Sequence, residues 1–242
     1  SVMNDGKGIP IEIHKKEKIY VPELIFGHLL TSSNYDDAEQ KVTGGRNGYG
    51  AKLANIFSTK FIVETVDKNT GKKYKQVFTK NMTVRGDPLI TSPKNLKEYT
   101  KIIFYPDLGK FGMTTMDKDI VSLLQKRVRD IAGCNAGLKV FLNGKSITSR
   151  TFKDYCRLYL RDRDPKEIVF ATVNDRWEVC AAVSEGQPQQ VSFVNSINTI
   201  KGGTHVTHAS KGIIDYLLPL INKKRPKGSK EVKSFQVRNY LW

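Results

Sequence analysis

Four glycines lie within seven residues of one another, immediately before a segment with the apolar spacing of a helix. They are Gly44, Gly45, Gly48 and Gly50 in the stretch TGGRNGYGAKLANIFS, residues 43–58. The run matches neither the P-loop pattern nor the dinucleotide-binding glycine pattern. Glycines let main-chain amides approach an anion, and a helix that starts directly afterwards turns its free N–H groups toward the same anion. The run therefore predicts a phosphate site, to which Arg46, Asn47 and Lys52 add donors; a mobile loop or a tight chain crossing is the alternative.

A second glycine-containing stretch, NDGKGIP, follows a short strand-like start and begins at Asn4. An asparagine side chain both donates and accepts hydrogen bonds, so it can recognise the amino edge of a purine. Gly6 and Gly8 would let a flat base lie against the backbone, and Ile9 and Pro10 would give it an apolar floor. The alternative for this stretch is an ordinary turn.

Short polar side chains stand between these two stretches, at Ser32, Ser33 and Asn34. Their hydroxyl and amide groups suit ribose or phosphate oxygens, although a polar helix end explains them equally well. All three features lie within the first 58 residues. Their agreement on one kind of ligand favours a single nucleotide site.

The elements that must position these residues can be predicted from apolar spacing and turn residues. Helices are expected at VPELIFGHLL and YGAKLANIFS, a hairpin at KFIVETVDKNTGKKYKQVFT and a strand at YTKIIFYPD. An amphipathic helix follows at MDKDIVSLLQKRVRDIAG, with Gly133 as its stop, and then a strand with an Asn-Gly turn at LKVFLNGKSI. These elements define a first domain, residues 1–147.

Residues 148–242 change in character and define a second domain. A helix is expected at TFKDYCRLYL, an antiparallel strand pair at EIVFATVND and RWEVCAAVSE, and a further strand at QQVSFVNSINT. A long helix should begin near Thr204 or His205, and SFQVRNYLW should begin another strand. Helices and antiparallel strands in both halves indicate an α+β protein.

Charge points to a polyanionic partner. The 242 residues include 40 Lys+Arg against 24 Asp+Glu, a formal net charge of +16. Such a surplus favours nucleic acid, or less often an anionic membrane surface. Near the end of the chain a basic cluster suits the phosphate backbone without reading base sequence, with a solvated linker as the alternative; it comprises Lys223, Lys224, Arg225, Lys227, Lys230 and Lys233.

The three cysteines indicate neither a zinc site nor a disulfide framework. Cys134, Cys156 and Cys180 have no C-x-x-C spacing, and their number is odd. Each lies in an apolar-rich stretch, so each is predicted to be a small buried side chain in a protein of a reducing compartment. No apolar run reaches the length of a membrane span, and no signal peptide opens the sequence.

Several motifs together resemble the ATPase region of eukaryotic type II DNA topoisomerases. They are NDGKGIP, LLTSSNYDD, KVTGGRNGYGAKLANIFSTKF, YTKIIFYPDL, DKDIVSLLQKR, QQVSFVNSINTIKGGTHV and SFQVRNYLW, and they run through practically the whole chain. This family belongs to the wider gyrase, heat-shock chaperone, histidine kinase and MutL superfamily. The resemblance implies a Bergerat-type α/β sandwich that binds ATP, followed by a smaller α/β transducer domain of the ribosomal protein S5 domain 2-like type.

The resemblance also assigns roles to individual residues. Asn4 would contact the adenine, Ile9 and Pro10 would line it, and Thr100 would help to bind it through water. Ser32, Ser33 and Asn34 would lie near the ribose and phosphates. The lid that wraps the triphosphate would be formed by Arg46, Asn47, Gly48, Tyr49, Gly50, Ala51 and Lys52.

The family's catalytic base and its magnesium-binding asparagine lie on a helix that would precede Ser1, and its transducer lysine would follow Trp242. We therefore expect a piece of a larger enzyme that contains no catalytic residue or metal ligand and turns over ATP little by itself. Asp36 and Asp37 are expected on the solvated face of their loop, and none of Asp5, Asp36 and Asp37 is assigned the role of base. The implied cofactors are ATP and Mg²⁺.

The expected function is ATP binding and hydrolysis that closes a dimer gate during passage of double-stranded DNA. The resemblance implies a homodimeric nuclear enzyme that does not act on membranes, with the basic cluster facing the DNA. Two alternatives stay open: a non-enzymatic DNA-binding clamp module with a structural glycine loop, and a MutL-like DNA repair ATPase.

Overall fold

The computed structural model describes residues 1–32, 36, 42–45 and 47–242. The chain divides into two compact units, Ser1–Met116 and Asp117–Trp242. This division precedes the long amphipathic helix, whereas the sequence predicts a domain boundary after residue 147. The helix belongs with the second unit because it packs against the helix that follows it there. The domain limits 1–147 and 148–242 remain a prediction.

The first unit is built on one antiparallel sheet with two short helices on one of its faces. The order of strands along the sheet is β1-β6-β2-β3-β4, and β5 pairs with the other part of β3. The predicted hairpin, its turn at residues 68–71 and the predicted strand after it are confirmed. The elements are β1 Val2–Asn4, α1 Val21–Gly27, α2 Gly50–Ile56, β2 Ser58–Asp67, β3 Lys72–Thr79, β4 Val84–Arg85, β5 Leu89–Thr91 and β6 Tyr99–Pro106.

Strand alternation decides which face of this sheet is buried. Phe61 and Val63 on β2 and Tyr74 and Phe78 on β3 point to one face and are fully buried there. Phe26 of α1 closes the same core, together with partly buried side chains of α2 and β6. Because successive side chains of a strand point to opposite faces, every second residue of the hairpin faces the helices.

The second unit combines four helices with small antiparallel strand pairs, so the α+β class is confirmed. No helix of the described chain is both long and apolar enough to cross a membrane. The predicted long helix begins at Thr204, as expected. The elements are α3 Lys118–Cys134, β7 Phe141–Leu142, β8 Lys145–Ser146, α4 Phe152–Tyr159, β9 Val169–Asn174, β10 Trp177–Ala181, β11 Phe193–Val194, β12 Ile197–Asn198, α5 Thr204–Lys224 and α6 Ser234–Asn239.

Two stretches of this unit that were each predicted to form or begin one strand have a different secondary structure. The stretch SFQVRNYLW was expected to begin a strand, but it opens with helix α6, because Oε1 of Gln236 accepts the backbone N–H of Lys233 at 2.9 Å and caps the first turn. Only at the end of the stretch does strand-like pairing appear, where Leu241 bridges Val183. The stretch QQVSFVNSINT is two short strands, β11 and β12, because Asn195 and Ser196 form a turn with φ of 50° and 64°.

The sequence predicted that Gly133 stops helix α3, and this prediction is wrong. The helix continues to Cys134, and a Cβ added at Gly133 would lie 2.5 Å from Cγ of Tyr155. The glycine thus allows the ring of α4 to pack directly on the α3 backbone. Its role is close helix–helix approach rather than termination.

Candidate functional site

The end of strand β1 brings the first two candidate residues side by side. Asn4 pairs directly with Thr100 of β6, and Thr100 pairs on its other side with Thr65 of β2. Asn4 is exposed, and its Oδ1 accepts the backbone N–H of Gly6 at 3.3 Å. Its Nδ2 group has no partner among the described residues, so it remains able to donate to a ligand.

Thr65, which the sequence analysis did not identify, organises this corner through its hydroxyl group. The Oγ1 atom accepts the backbone N–H of Ile9 at 3.0 Å and donates to the carbonyl oxygen of Tyr99 at 3.2 Å. It also lies 3.0 Å from Oγ1 of Thr100. Either hydroxyl can be the donor in this pair, and in both cases the Thr100 oxygen keeps a lone pair for a water molecule or ligand.

The loop that follows β1 is held against the sheet at Gly8. A Cβ added there would lie 1.8 Å from the carbonyl oxygen of Val66, so only glycine fits. The residues after it differ in burial: Ile9 packs against the core, whereas Pro10 is exposed. The structure thus lets the loop run along the ends of β2 and β6, next to Asn4.

Asp67 anchors the same loop by its buried carboxylate. One oxygen accepts the backbone N–H of Ile11 at 3.2 Å and the hydroxyl of Thr70 at 2.8 Å, and the other accepts the backbone N–H of Asn69 at 3.0 Å. Burial by itself raises the pKa of Asp67, but these hydrogen bonds outweigh burial and hold the pKa below its ordinary value. The carboxylate thus joins the loop after β1 to the turn at residues 68–71.

The glycine run crosses another chain segment at Gly48. Its φ is +65°, and a Cβ there would lie 2.5 Å from the carbonyl oxygen of Thr31 and 3.0 Å from Cβ of Ser32. Gly45 and Gly50 of the same run, by contrast, have open space around their Cβ positions. The tight chain crossing, one of the alternatives raised by the sequence, is therefore present at Gly48, in the middle of the proposed lid.

Lys52 joins the two chain segments of this crossing by hydrogen bonds. Its Nζ atom donates to the carbonyl oxygens of Thr31 at 2.9 Å and Gly48 at 2.6 Å, and the residue is only 2% exposed. Burial lowers the pKa of Lys52. Among the described contacts, two of its three N–H groups donate to backbone carbonyl oxygens, which leaves the third able to donate to an anion.

The other candidate residues of the lid and of the ribose and phosphate contacts differ in exposure and in their contacts. Asn47, Tyr49, Gly50 and Ala51 are exposed, the last two in the first turn of α2, while Ser32 adjoins Gly48. Ala54, one turn further along α2, packs against the same core as Ile9, so the base-side loop and the lid helix share one support. The candidates Ser33, Asn34 and Arg46 lie outside the described residues.

Acidic residues near this site give no metal centre. Asp36 is exposed, as the sequence predicts; Asp5 is exposed too, and Asp37 lies outside the described residues. Within the described part of the chain, no group of three or more His, Cys, Asp or Glu side chains could hold a metal ion.

The basic cluster lies at the end of α5 and in the loop after it. Its members, including Lys227 and Lys230, are exposed. Asn222 closes the loop, because its Nδ2 donates to the carbonyl oxygen of Val232 at 3.0 Å and its Oδ1 accepts the Val232 N–H at 2.9 Å. The last turn of α5 and the closed loop carry an exposed cationic cluster; its members are Lys223, Lys224, Arg225, Lys227, Lys230 and Lys233.

Comparison with known proteins identifies the family of this chain. The family model described as DNA gyrase B matches residues 151–242. The protein named DNA topoisomerase 2 from Arabidopsis thaliana is 55% identical over 249 residues, which cover 100% of this chain and 17% of that protein. The chain belongs to the DNA topoisomerase 2 family. It spans about a sixth of the length of the curated topoisomerases that it matches.

Solved structures of topoisomerase II ATPase regions share the fold along practically the whole chain. The ATPase region of Saccharomyces cerevisiae topoisomerase II superposes with a TM-score of 0.90 at 54% identity, covering 99% of this chain and 61% of that one. The ATPase and transducer domains of DNA topoisomerase II from Balamuthia mandrillaris give a TM-score of 0.91 at 48% identity, with the same coverage.

Proposed function

We propose that this chain is the ATP-binding part of a type II DNA topoisomerase, in which ATP binding and hydrolysis drive closure of a dimer gate for passage of double-stranded DNA. The observation that carries the proposal is the pairing of Asn4 with Thr100 across β1 and β6, fixed by the hydroxyl of Thr65. The names of the relatives and of the structural neighbours support the same activity.

The residues present fit an adenine nucleotide. The Asn4 side chain offers a free donor and Thr100 offers an acceptor, which matches the alternation of acceptor and donor on the adenine edge. Gly48 and Lys52 place a left-handed backbone and a buried ammonium group at the lid, where an anionic phosphate chain would be stabilised. When bound, ATP supplies a phosphoryl group for transfer to water.

Magnesium use belongs to the proposal for the whole enzyme rather than to these residues. The described residues offer no cluster of metal-ligating side chains. We therefore derive no step through Mg²⁺ and assign no catalytic base within residues 1–32, 36, 42–45 and 47–242.

The basic cluster on the closed loop after α5 is proposed to contact duplex DNA. It carries six cationic side chains against the single carboxylate of Glu231, and none of these cations forms an ion pair with a described residue. Uncompensated lysines on an exposed loop bind phosphates by releasing counterions, without selecting a sequence. Homodimer formation and a nuclear location are proposed for the complete enzyme on the basis of its family.

Calorimetric titration with adenylyl imidodiphosphate tests the nucleotide site. Asn4→Ala should weaken binding about 10- to 100-fold, since loss of a specific hydrogen bond to a buried ligand group costs about 1–3 kcal/mol. Met3→Ala is the matched control: Met3 is the preceding exposed residue of β1 and points to the opposite face of the sheet. It should leave the affinity unchanged.

The titration also separates the alternatives. A non-enzymatic DNA clamp predicts no binding of the nucleotide by the parent chain. Equal weakening by Asn4→Ala and Met3→Ala would mean that β1 only stabilises the fold, and the assignment of adenine to Asn4 would be rejected. A MutL-like repair ATPase is disfavoured because the relatives reported above are topoisomerases over the full length of this chain.

A further inference from the structure

Helix α4 lies against one face of the β9–β10 hairpin in the second unit. Nζ of Lys153 on α4 lies 5.3 Å from the centre of the Phe170 ring on β9. Phe170 is the register partner of Cys180 on β10, so both side chains are on the hairpin face that meets α4. The opposite face of β10 carries Val179. Cys180 therefore points toward the helix.

On the helix, Cys156 occupies the matching position. It follows Lys153 by three residues and precedes Leu160 by four, so the three share one helix face. Leu160 packs into the small core that includes Ala182 and Cys180, and Cys156 itself is only 3% exposed. Cys156, between Lys153 and Leu160, therefore faces the side of the hairpin that carries Cys180, and both cysteines are free. Two cysteines from distant parts of the sequence thus face each other between α4 and β10.

The two thiols are not equivalent. The hydrogen bond from Cys156 lowers the pKa of Cys180, which is only partly buried. The same hydrogen bond, together with burial, raises the pKa of Cys156 far above its ordinary value. Cys180 is therefore the thiol that ionises first and is accessible to a reagent, while Cys156 is protected behind it.

We infer that Cys156 and Cys180 form a thiol–disulfide exchange site that accepts a small disulfide of the glutathione class. The Cys180 thiolate attacks one sulfur of the small disulfide, forming a mixed disulfide and releasing one small thiolate. In the mixed disulfide Cys180 carries no thiolate, so the interaction that raised the pKa of Cys156 is lost. Cys156 then gives its proton to the released thiolate and attacks the Cys180 sulfur, which forms the Cys156–Cys180 bond and expels the second small thiolate; this thiolate takes up from water the proton that Cys180 lost on ionising. The protein dithiol is oxidised by two electrons, and the small disulfide is reduced to two thiols.

This site is separate from the nucleotide residues, all of which lie in the first unit. The bond would tie α4 to β10 and close the chain between residues 156 and 180, which stabilises the second unit by restricting its unfolded state. In a reducing compartment the dithiol is the resting state, so the site would respond when the pool of small thiols becomes oxidised.

Peptide mapping by mass spectrometry after equilibration with oxidised and reduced glutathione tests the inference. The parent chain should lose two hydrogens, yield a cross-linked peptide that contains Cys156 and Cys180, and return to the dithiol with dithiothreitol. Cys156→Ala should stop at one glutathionyl group on Cys180, and Cys180→Ala should prevent the reaction of the pair. Cys134→Ala is the matched control, because Cys134 is a nearby thiol whose pKa burial raises to about 11, and it should react as the parent does.

Several results would overturn the inference. These are a parent chain that carries only a mixed disulfide, a cross-link that uses Cys134, and a cross-link that appears only after denaturation. Circular dichroism of each variant shows whether it is folded, and Cys156→Ser and Cys180→Ser replace any alanine variant that is not. A folded parent chain that stays fully reduced while a free-thiol control peptide is oxidised also rejects the site.

Discussion

Gly48→Ala gives the sharpest test of the lid, because the structure separates two costs of the added methyl group. The first is the backbone conformation, since φ at Gly48 is +65°. The second is contact, since the new Cβ would lie 2.5 Å from the carbonyl oxygen of Thr31. That oxygen accepts the hydrogen bond from Lys52, so moving it disturbs the bond that holds the crossing together.

The magnitude follows from these two costs. Left-handed conformation costs a non-glycine residue about 1 kcal/mol, and a hydrogen bond to a charged group contributes about 1.5–3 kcal/mol. If nucleotide binding requires this lid geometry, the sum predicts an affinity at least about tenfold lower, because about 1.4 kcal/mol corresponds to a factor of ten. The fold should survive, since Gly48 lies outside the core of the sheet.

Titration with adenylyl imidodiphosphate measures the effect, and Gly112→Ala is the control. Gly112 has nearly the same φ, +67°, but no atom of the described residues lies within 4 Å of its Cβ position, so it shares the strain without the contact. It should lose some stability and keep its affinity. If Gly48→Ala binds within threefold of the parent, or if Gly112→Ala weakens binding as much, the proposed role of the crossing is refuted.

Two further predictions concern stability. The pKa of Asp67 is lowered in the folded protein, so its carboxylate stabilises the fold above the ordinary carboxyl pKa, and this stabilisation is lost as the pH falls below about 4. The melting temperature should therefore fall steeply in acid, and Asp67→Asn should make this fall shallower. An equal fall in the parent and the variant would contradict the anchor role. Gly133→Ala should lower the free energy of unfolding of the second unit in urea by about 1–3 kcal/mol, because the new methyl group would collide with Tyr155. Gly212→Ala is the control: its Cβ position on α5 is open, so the substitution should raise the free energy of unfolding by about 0.5–1 kcal/mol. The reverse order would contradict the packing argument.

Local signals in the sequence determined several features correctly. The hairpin β2–β3 follows from alternation around a turn, and α5 begins where an apolar helical period replaces glycines. Such features depend on neighbours in the chain, so short-range physics suffices. The stretch SFQVRNYLW was misjudged because its alternation is too short to separate a strand from a helix, and a single capping contact from Gln236 decided the outcome.

From the sequence alone, Asn4 was predicted to recognise a purine, and the glycine run was predicted to bind phosphate, with a mobile loop or a tight chain crossing as the alternative. The sequence could not show that Thr65 supports Thr100, that Gly48 crosses Thr31, or that Cys156 faces Cys180. These are contacts between segments far apart in the chain, and strand register and helix packing fix them rather than local preference. Residue types and spacing thus identified the candidate groups, whereas only the tertiary structure decided which atoms of those groups lie together.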